Sequence, residues 1–190
     1  MLTLPPTLRL TPAEFAEVCA SNPEAVLELD ADGTLIEMQP TGGSTSARNT
    51  ALLSQLHAWA RSSGDWFVFD SSGGFLLPDG SIRSPDASVL RLERWRALSE
   101  AEGDGFPPLC PDLVVELSSP SDAPEALRRK MAAYRANGAR LGWLLLPQSC
   151  GVEVWTAGTR APQVLSDPSR LEAGEAFPGL VIDLQRIWEV

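Results

Sequence analysis

The sequence predicts a mixed α/β (α+β) domain with a central mixed β-sheet flanked by helices. Three observations carry that expectation. Residues 112–118, 122–137 and 141–146 read as strand, helix and strand, a crossover that sets two parallel strands in one sheet. Short β-rich runs between residues 66 and 90 alternate with Gly, Pro and Asp turns. Finally, 190 residues with 44% hydrophobic content suffice for one core, so residues 1–190 are expected to form a single domain.

The elements follow in order. Thr11, Pro12 and Glu14 give an N-cap, a proline at the first helical position and a capping-box carboxylate, and a short helix follows to about Cys19. Val26–Asp30 and Thr34–Met38 flank Ala31-Asp32-Gly33, which reads as a hairpin. Leu52, Leu53, Leu56, Trp59 and Ala60 recur at helical spacing between Ser46 and Ser62. Strands are expected at Trp66–Asp70, Gly74–Leu77 and Asp86–Leu90, then a polar, exposed helix over Arg91–Glu102. Asp112–Ser118 is a strand, and Asp122 with Glu125 predicts a second capping box before a helix that stops at Asn137-Gly138. Leu141–Leu146 and Val152–Thr156 are strands, and Leu180, Ile182, Leu184, Ile187 and Trp188 close an apolar tail.

Charge and rare residues narrow the function. The chain carries 15 basic and 25 acidic side chains, a formal charge of −10, which excludes a uniformly basic DNA-coating surface. Lys130 is the only lysine and His57 the only histidine, so a histidine-rich metal site is excluded. Three scattered cysteines, Cys19, Cys110 and Cys150, read as reduced thiols of a cytoplasmic protein. The first residues show no signal peptide, and no apolar run reaches the length of a membrane span.

Face parity then singles out candidate chemistry. In 112–118 one strand face carries Leu113, Val115 and Leu117, and the other carries Asp112, Val114, Glu116 and Ser118. Glu116 stands in mid-strand, where a carboxylate is costly unless paired or bound to metal. Asp86 shares a face with Ser88, so neighbouring strands would bring Asp86 and Glu116 together. Two carboxylates with open water positions suit Mg²⁺. Asp112 lies about 13 Å from Glu116 along a regular strand, too far to share the ion, and reads as an edge group. Lys130, on a semi-buried helix face with Leu127, Met131 and Tyr134, could extend toward Glu116 and orient or deprotonate a water. Arg128, Arg129 and Arg135 occupy more exposed sides of that helix.

Ser84-Pro85-Asp86, Pro111–Asp122, Lys130 with Tyr134, Gly138 and Trp143–Pro147 together resemble the Uma-type restriction endonuclease family, a branch of the PD-(D/E)XK nucleases. Leu27–Asp30, Gly33, Glu37-Met38, Pro40–Gly42 and Asn49 also fit, so the resemblance covers most of residues 10–188. It implies a restriction-endonuclease-like fold and a Mg²⁺- or Mn²⁺-dependent phosphodiesterase. Asp86 and Glu116 would bind the ion, Lys130 would be catalytic, and Glu28 would be accessory. Read by itself, Glu28 serves equally as a sheet- or helix-anchoring group. The superfamily's usual lysine two residues after the glutamate is Ser118 here, so Lys130 would supply the ammonium from the helix. Ser46 stands where similar sequences often carry histidine.

Three functional classes fit these residues. The first is an active endonuclease on nucleic acid, with DNA as the expected substrate. It would bind through local cations such as Arg83, Arg91, Arg94, Arg96, Arg128, Arg129, Arg135 and Arg140, and a homodimer would serve cleavage of two strands. The second is a nuclease-fold binding or structural module without cleavage. The third is a metal-dependent hydrolase of small phosphodiesters.

Overall fold

The computed structural model describes Pro5, residues 7–38 and residues 41–190. Pro40, one residue of the family resemblance, and most of the leading segment read for a signal peptide lie outside the described residues. Helix α1 (Pro12–Ser21) starts at the expected Thr11–Glu14 capping box, with both reciprocal hydrogen bonds formed. Strands β1 (Leu27–Leu29) and β2 (Leu35–Glu37) make the expected antiparallel hairpin. Its turn needs glycine: Gly33 has φ +82°, and a Cβ there would sit 2.7 Å from the Leu10 carbonyl oxygen.

Helix α2 (Gly43–Ser63), β3 (Trp66–Asp70), β4 (Phe75–Leu76), β5 (Ile82–Arg83) and β6 (Ala87–Arg91) come next. The expected helix over Arg91–Glu102 is instead two short ones, α3 (Leu92–Arg96) and α4 (Glu100–Asp104). Ser99 breaks the run by capping α4 in a box with Glu102. Then follow β7 (Leu113–Leu117), α5 (Pro124–Ala136), β8 (Leu141–Leu146), β9 (Gly151–Thr156), β10 (Gln163–Ser166), β11 (Arg170–Glu172), β12 (Val181–Asp183) and α6 (Gln185–Trp188).

The second capping box does not form. Pro124 takes the first turn of α5, which makes Ala123 the N-cap. The Asp122 carboxylate turns back instead and accepts the Ser119 N–H at 2.7 Å.

A six-stranded mixed sheet, ordered β10-β9-β8-β7-β6-β3, forms the centre. Strands β7 and β8 are parallel, joined by α5 as expected, and the other pairings are antiparallel. A second, four-stranded sheet runs β2-β1-β5-β4. The faces of β7 sort as parity predicts. Leu113, Val115 and Leu117 join Leu52, Leu56 and the apolar tail residues in one core. Val114 joins Met131 and Tyr134 of α5 in another. The face bearing Glu116 is therefore the one that α5 covers.

Candidate active site

Register places the two carboxylates. Ala87 pairs with Val115 and Ser88 with Val114. Continuing that antiparallel register sets Asp86, immediately before β6, opposite Glu116 and on the same side of the sheet. The Leu117 N–H donates to Asp86 Oδ2 at 2.7 Å, which confirms the approach. Behind it, the Asn49 side-chain amide of α2 donates to the Asp86 carbonyl at 3.1 Å, so the Asp86 backbone is held as well.

Glu116 is 3% exposed and is held from α5. Lys130 Nζ lies 2.9 Å from Glu116 Oε1, and the Tyr134 hydroxyl donates to the same oxygen at 3.0 Å. Lys130 and Tyr134 are four residues apart and so share one helical face. Lys130 Nζ also lies 2.7 Å from Glu28 Oε1 and donates to the Ser84 carbonyl at 3.3 Å. An ammonium has three donors, and all three are used.

Glu28, 2% exposed, is the hub between the two sheets. Its Oε1 also accepts the Ser84 N–H at 2.9 Å, and its Oε2 accepts from Arg83 at 3.2 Å. Arg83 reaches on to Asp30 at 2.8 Å. Both oxygens of Glu28 are engaged by protein donors, as an anchoring group's are. The sequence had not paired Arg83 with Glu28 or Tyr134 with Glu116. Signals were present: Glu28 and Asp30 alternate on one strand face, and Lys130 and Tyr134 have i, i+4 spacing.

Electrostatics follow from this burial. Desolvation pushes the Glu116 carboxyl up from 4.5 to about 8; Lys130 opposes the rise, while Asp86 and Glu28 add to it. Asp86 is likewise raised by burial, against the Leu117 N–H that favours its charged form. For Lys130, burial acts to lower the ammonium pKa, but the Glu116 and Glu28 carboxylates outweigh it and raise it above 10.5. Of the two expected tasks of Lys130, this direction favours orienting a water over deprotonating one.

These shifts predict a pH dependence. A carboxyl raised from 4.5 unfolded to about 8 folded stabilises fully below 4.5 and loses that contribution as pH rises through 8. In EDTA, the thermal stability of the wild type should therefore fall relative to Glu116→Gln as pH rises across that window. Identical pH profiles for the two proteins would show that Glu116 titrates normally.

The other expected residues lie elsewhere. Asp112 accepts the Arg91 N–H at 2.8 Å and pairs with Arg94 at 2.9 Å, an anchor at the start of β7. Arg128 pairs with buried Glu153, 2.7 Å from Nε to Oε1, and with Glu125. Arg135 donates to the Thr159 carbonyl at 2.9 Å and lies over the Trp155 ring. Arg129 is exposed and, among the described residues, has no hydrogen bond or ion pair. Arg83 and Arg94, counted as surface cations from sequence, are committed to carboxylates. Ser118 is buried on the face of Glu116, and Lys130 descends on that face from the helix.

The donor set suits a largely hydrated divalent cation. Among the described residues no group of three or more His, Cys, Asp or Glu side chains is placed to hold a metal. Among the described residues, however, Asp86 Oδ1 and Glu116 Oε2 accept no hydrogen bond, while the other oxygen of each carboxylate is fixed. Two carboxylate oxygens without protein donors suit Mg²⁺, which binds through one or two carboxylates and keeps its own waters. No helix among the described residues is long and apolar enough to cross a membrane.

Comparison with known proteins agrees with this architecture. The chain aligns with a crystal structure titled as a "putative nuclease belonging to DUF820" from Anabaena variabilis, with a TM-score of 0.78 and 19% identity. The alignment covers 95% of this chain and 98% of that one, and at this identity it shows a shared fold. No curated protein matches the sequence. The family model Uma2, described as "Putative restriction endonuclease", matches residues 12–185. With nearly its whole length matched, the chain belongs to the Uma2 family.

Proposed function

We propose that the chain is a cation-dependent endonuclease that hydrolyses phosphodiester bonds of nucleic acid, with DNA as the substrate. The observation that carries this reading is the paired arrangement of Asp86 and Glu116. They stand opposite each other across adjacent strands, each with one oxygen fixed and one free. Membership of a family described as restriction endonucleases supports the same chemistry.

Asp86 and Glu116 would hold Mg²⁺ or Mn²⁺, which when bound lowers the pKa of a water and polarises a phosphoryl oxygen. The chain's own residues supply the rest. Lys130 keeps a positive charge beside Glu116 and offsets the carboxylates gathered there. Glu28 and the Ser84 carbonyl hold that ammonium in place. Burial excludes bulk water from Glu116, which strengthens every charge interaction around it. Exposed Arg129, one residue before Lys130 and without a partner among the described residues, is the cation of α5 best free to meet a phosphate; Arg128 and Arg135 would have to exchange internal partners first.

The test is direct. Purified protein is incubated with supercoiled plasmid, with RNA and with a small chromogenic phosphodiester in Mg²⁺, Mn²⁺ or EDTA. The reading expects nicked or linear DNA in the divalent ions and none in EDTA. Intact DNA and RNA throughout would point to a non-cleaving module, and cleavage of small phosphodiesters alone would point to the third class.

A further inference from the structure

Tyr134 is the only tyrosine of the chain. It is 1% exposed, set in an apolar cluster with Val114, Met131 and Leu144. A phenol hydroxyl buried among such side chains needs a hydrogen-bond partner, and the partner here is Glu116 Oε1. The same oxygen receives Lys130. The two donors differ in what they can fix. Lys130 divides a rotatable, three-donor ammonium among Glu116, Glu28 and the Ser84 carbonyl, so it can pivot between acceptors. Tyr134 carries one donor on a rigid ring clamped by its neighbours, and it aims at one oxygen.

A carboxylate turns freely about its last bond unless something distinguishes its two oxygens. At Glu116 the donors from α5 all fall on Oε1 and none on Oε2. We propose that Tyr134 is a positioning residue: its hydroxyl fixes the rotation of the Glu116 carboxylate, presents Oε2 to a divalent cation, and so sets the affinity of the site. This rests on the cation-binding reading of Asp86 and Glu116 given above. Partners that orient a metal-binding carboxylate are worth about 10–100-fold in affinity when removed.

Tyr134→Phe deletes a single oxygen and keeps the ring in its cluster. Mn²⁺ binding, followed by the electron paramagnetic resonance of the free ion, is measured for wild type, Tyr134→Phe and Met131→Leu. Met131→Leu perturbs the same cluster without touching the hydrogen bond. The expected result is Mn²⁺ affinity weakened at least tenfold in Tyr134→Phe and unchanged in Met131→Leu. Equal weakening in both, or none in Tyr134→Phe while the wild type binds, overturns the role of the hydroxyl. Absence of Mn²⁺ binding by the wild type overturns the cation reading itself, and this inference with it.

A second measurement does not depend on the variant folding. Because Tyr134 is unique, protein grown on 3-fluorotyrosine carries one ¹⁹F resonance, from the ring carbon beside this hydroxyl. Mg²⁺ at concentrations that calorimetry shows to be saturating should shift that resonance. An unmoved resonance in Mg²⁺-loaded protein overturns the proposal.

Discussion

Glu116→Gln should lower cation-dependent strand cleavage by about a thousandfold while leaving the protein folded, and Asp86→Asn should do the same. Each substitution keeps the shape of the side chain and an oxygen that can accept the anchoring hydrogen bond, from Lys130 and Tyr134 at 116 and from the Leu117 N–H at 86. What each removes is the negative charge on which a divalent cation depends. The two residues act on one ion, so the double variant should be little worse than either alone, because residues acting as a unit are not additive. Steady-state cleavage rates for the three variants, with unfolding midpoints beside them, check this. A single variant that keeps a tenth of the wild-type rate would remove that residue from the list of ligands.

Lys130→Met should cost about 3 kcal/mol or more of stability, seen as a fall of roughly 10 °C in unfolding midpoint. The ammonium is the shared counter-charge of Glu28 and Glu116, each almost fully buried. Removing it leaves both side chains without their shared counter-charge in a poorly solvated interior, and Glu28 bears most of the cost. Part of the loss is recovered because Glu116, already raised to about 8, can take up a proton; Glu28 still has Arg83. Lys130→Arg should sit between the two, since a planar fork cannot reproduce three bonds radiating from one nitrogen. Denaturant unfolding at neutral pH measures both. A Lys130→Met protein as stable as wild type would mean that the ion network contributes nothing to the fold.

Much of this site was legible before any coordinates. Strict alternation in β7 put Glu116 opposite the apolar triplet, and the short run after Pro85 put Asp86 on a matching face. The sole lysine on the next helix completed the set. The register pairing β6 with β7 was needed to show that these residues meet. Less legible were features set by single contacts. Strand β5 has two residues, too few for any periodicity, yet it delivers Arg83 to Glu28. The β11–β12 hairpin spans a loop that interrupts the apolar pattern, so only its buried residues stood out. Asp122 carries the composition of a cap but loses that place to Pro124, whose fixed φ decides where α5 begins. The charge state of Lys130 was less legible for a related reason: helical spacing places it on a semi-buried face, whereas its two carboxylate neighbours decide the direction of its pKa.

The central claim is that Asp86 and Glu116 share one divalent cation through their free oxygens. A crystal soaked in Mn²⁺, with data collected at the manganese edge, tests it most directly. The account predicts one anomalous peak within coordination distance of Asp86 Oδ1 and Glu116 Oε2, with Lys130 Nζ and the Tyr134 hydroxyl still on Oε1. A fully soaked crystal with no peak there, or with manganese bound away from both carboxylates, would contradict it.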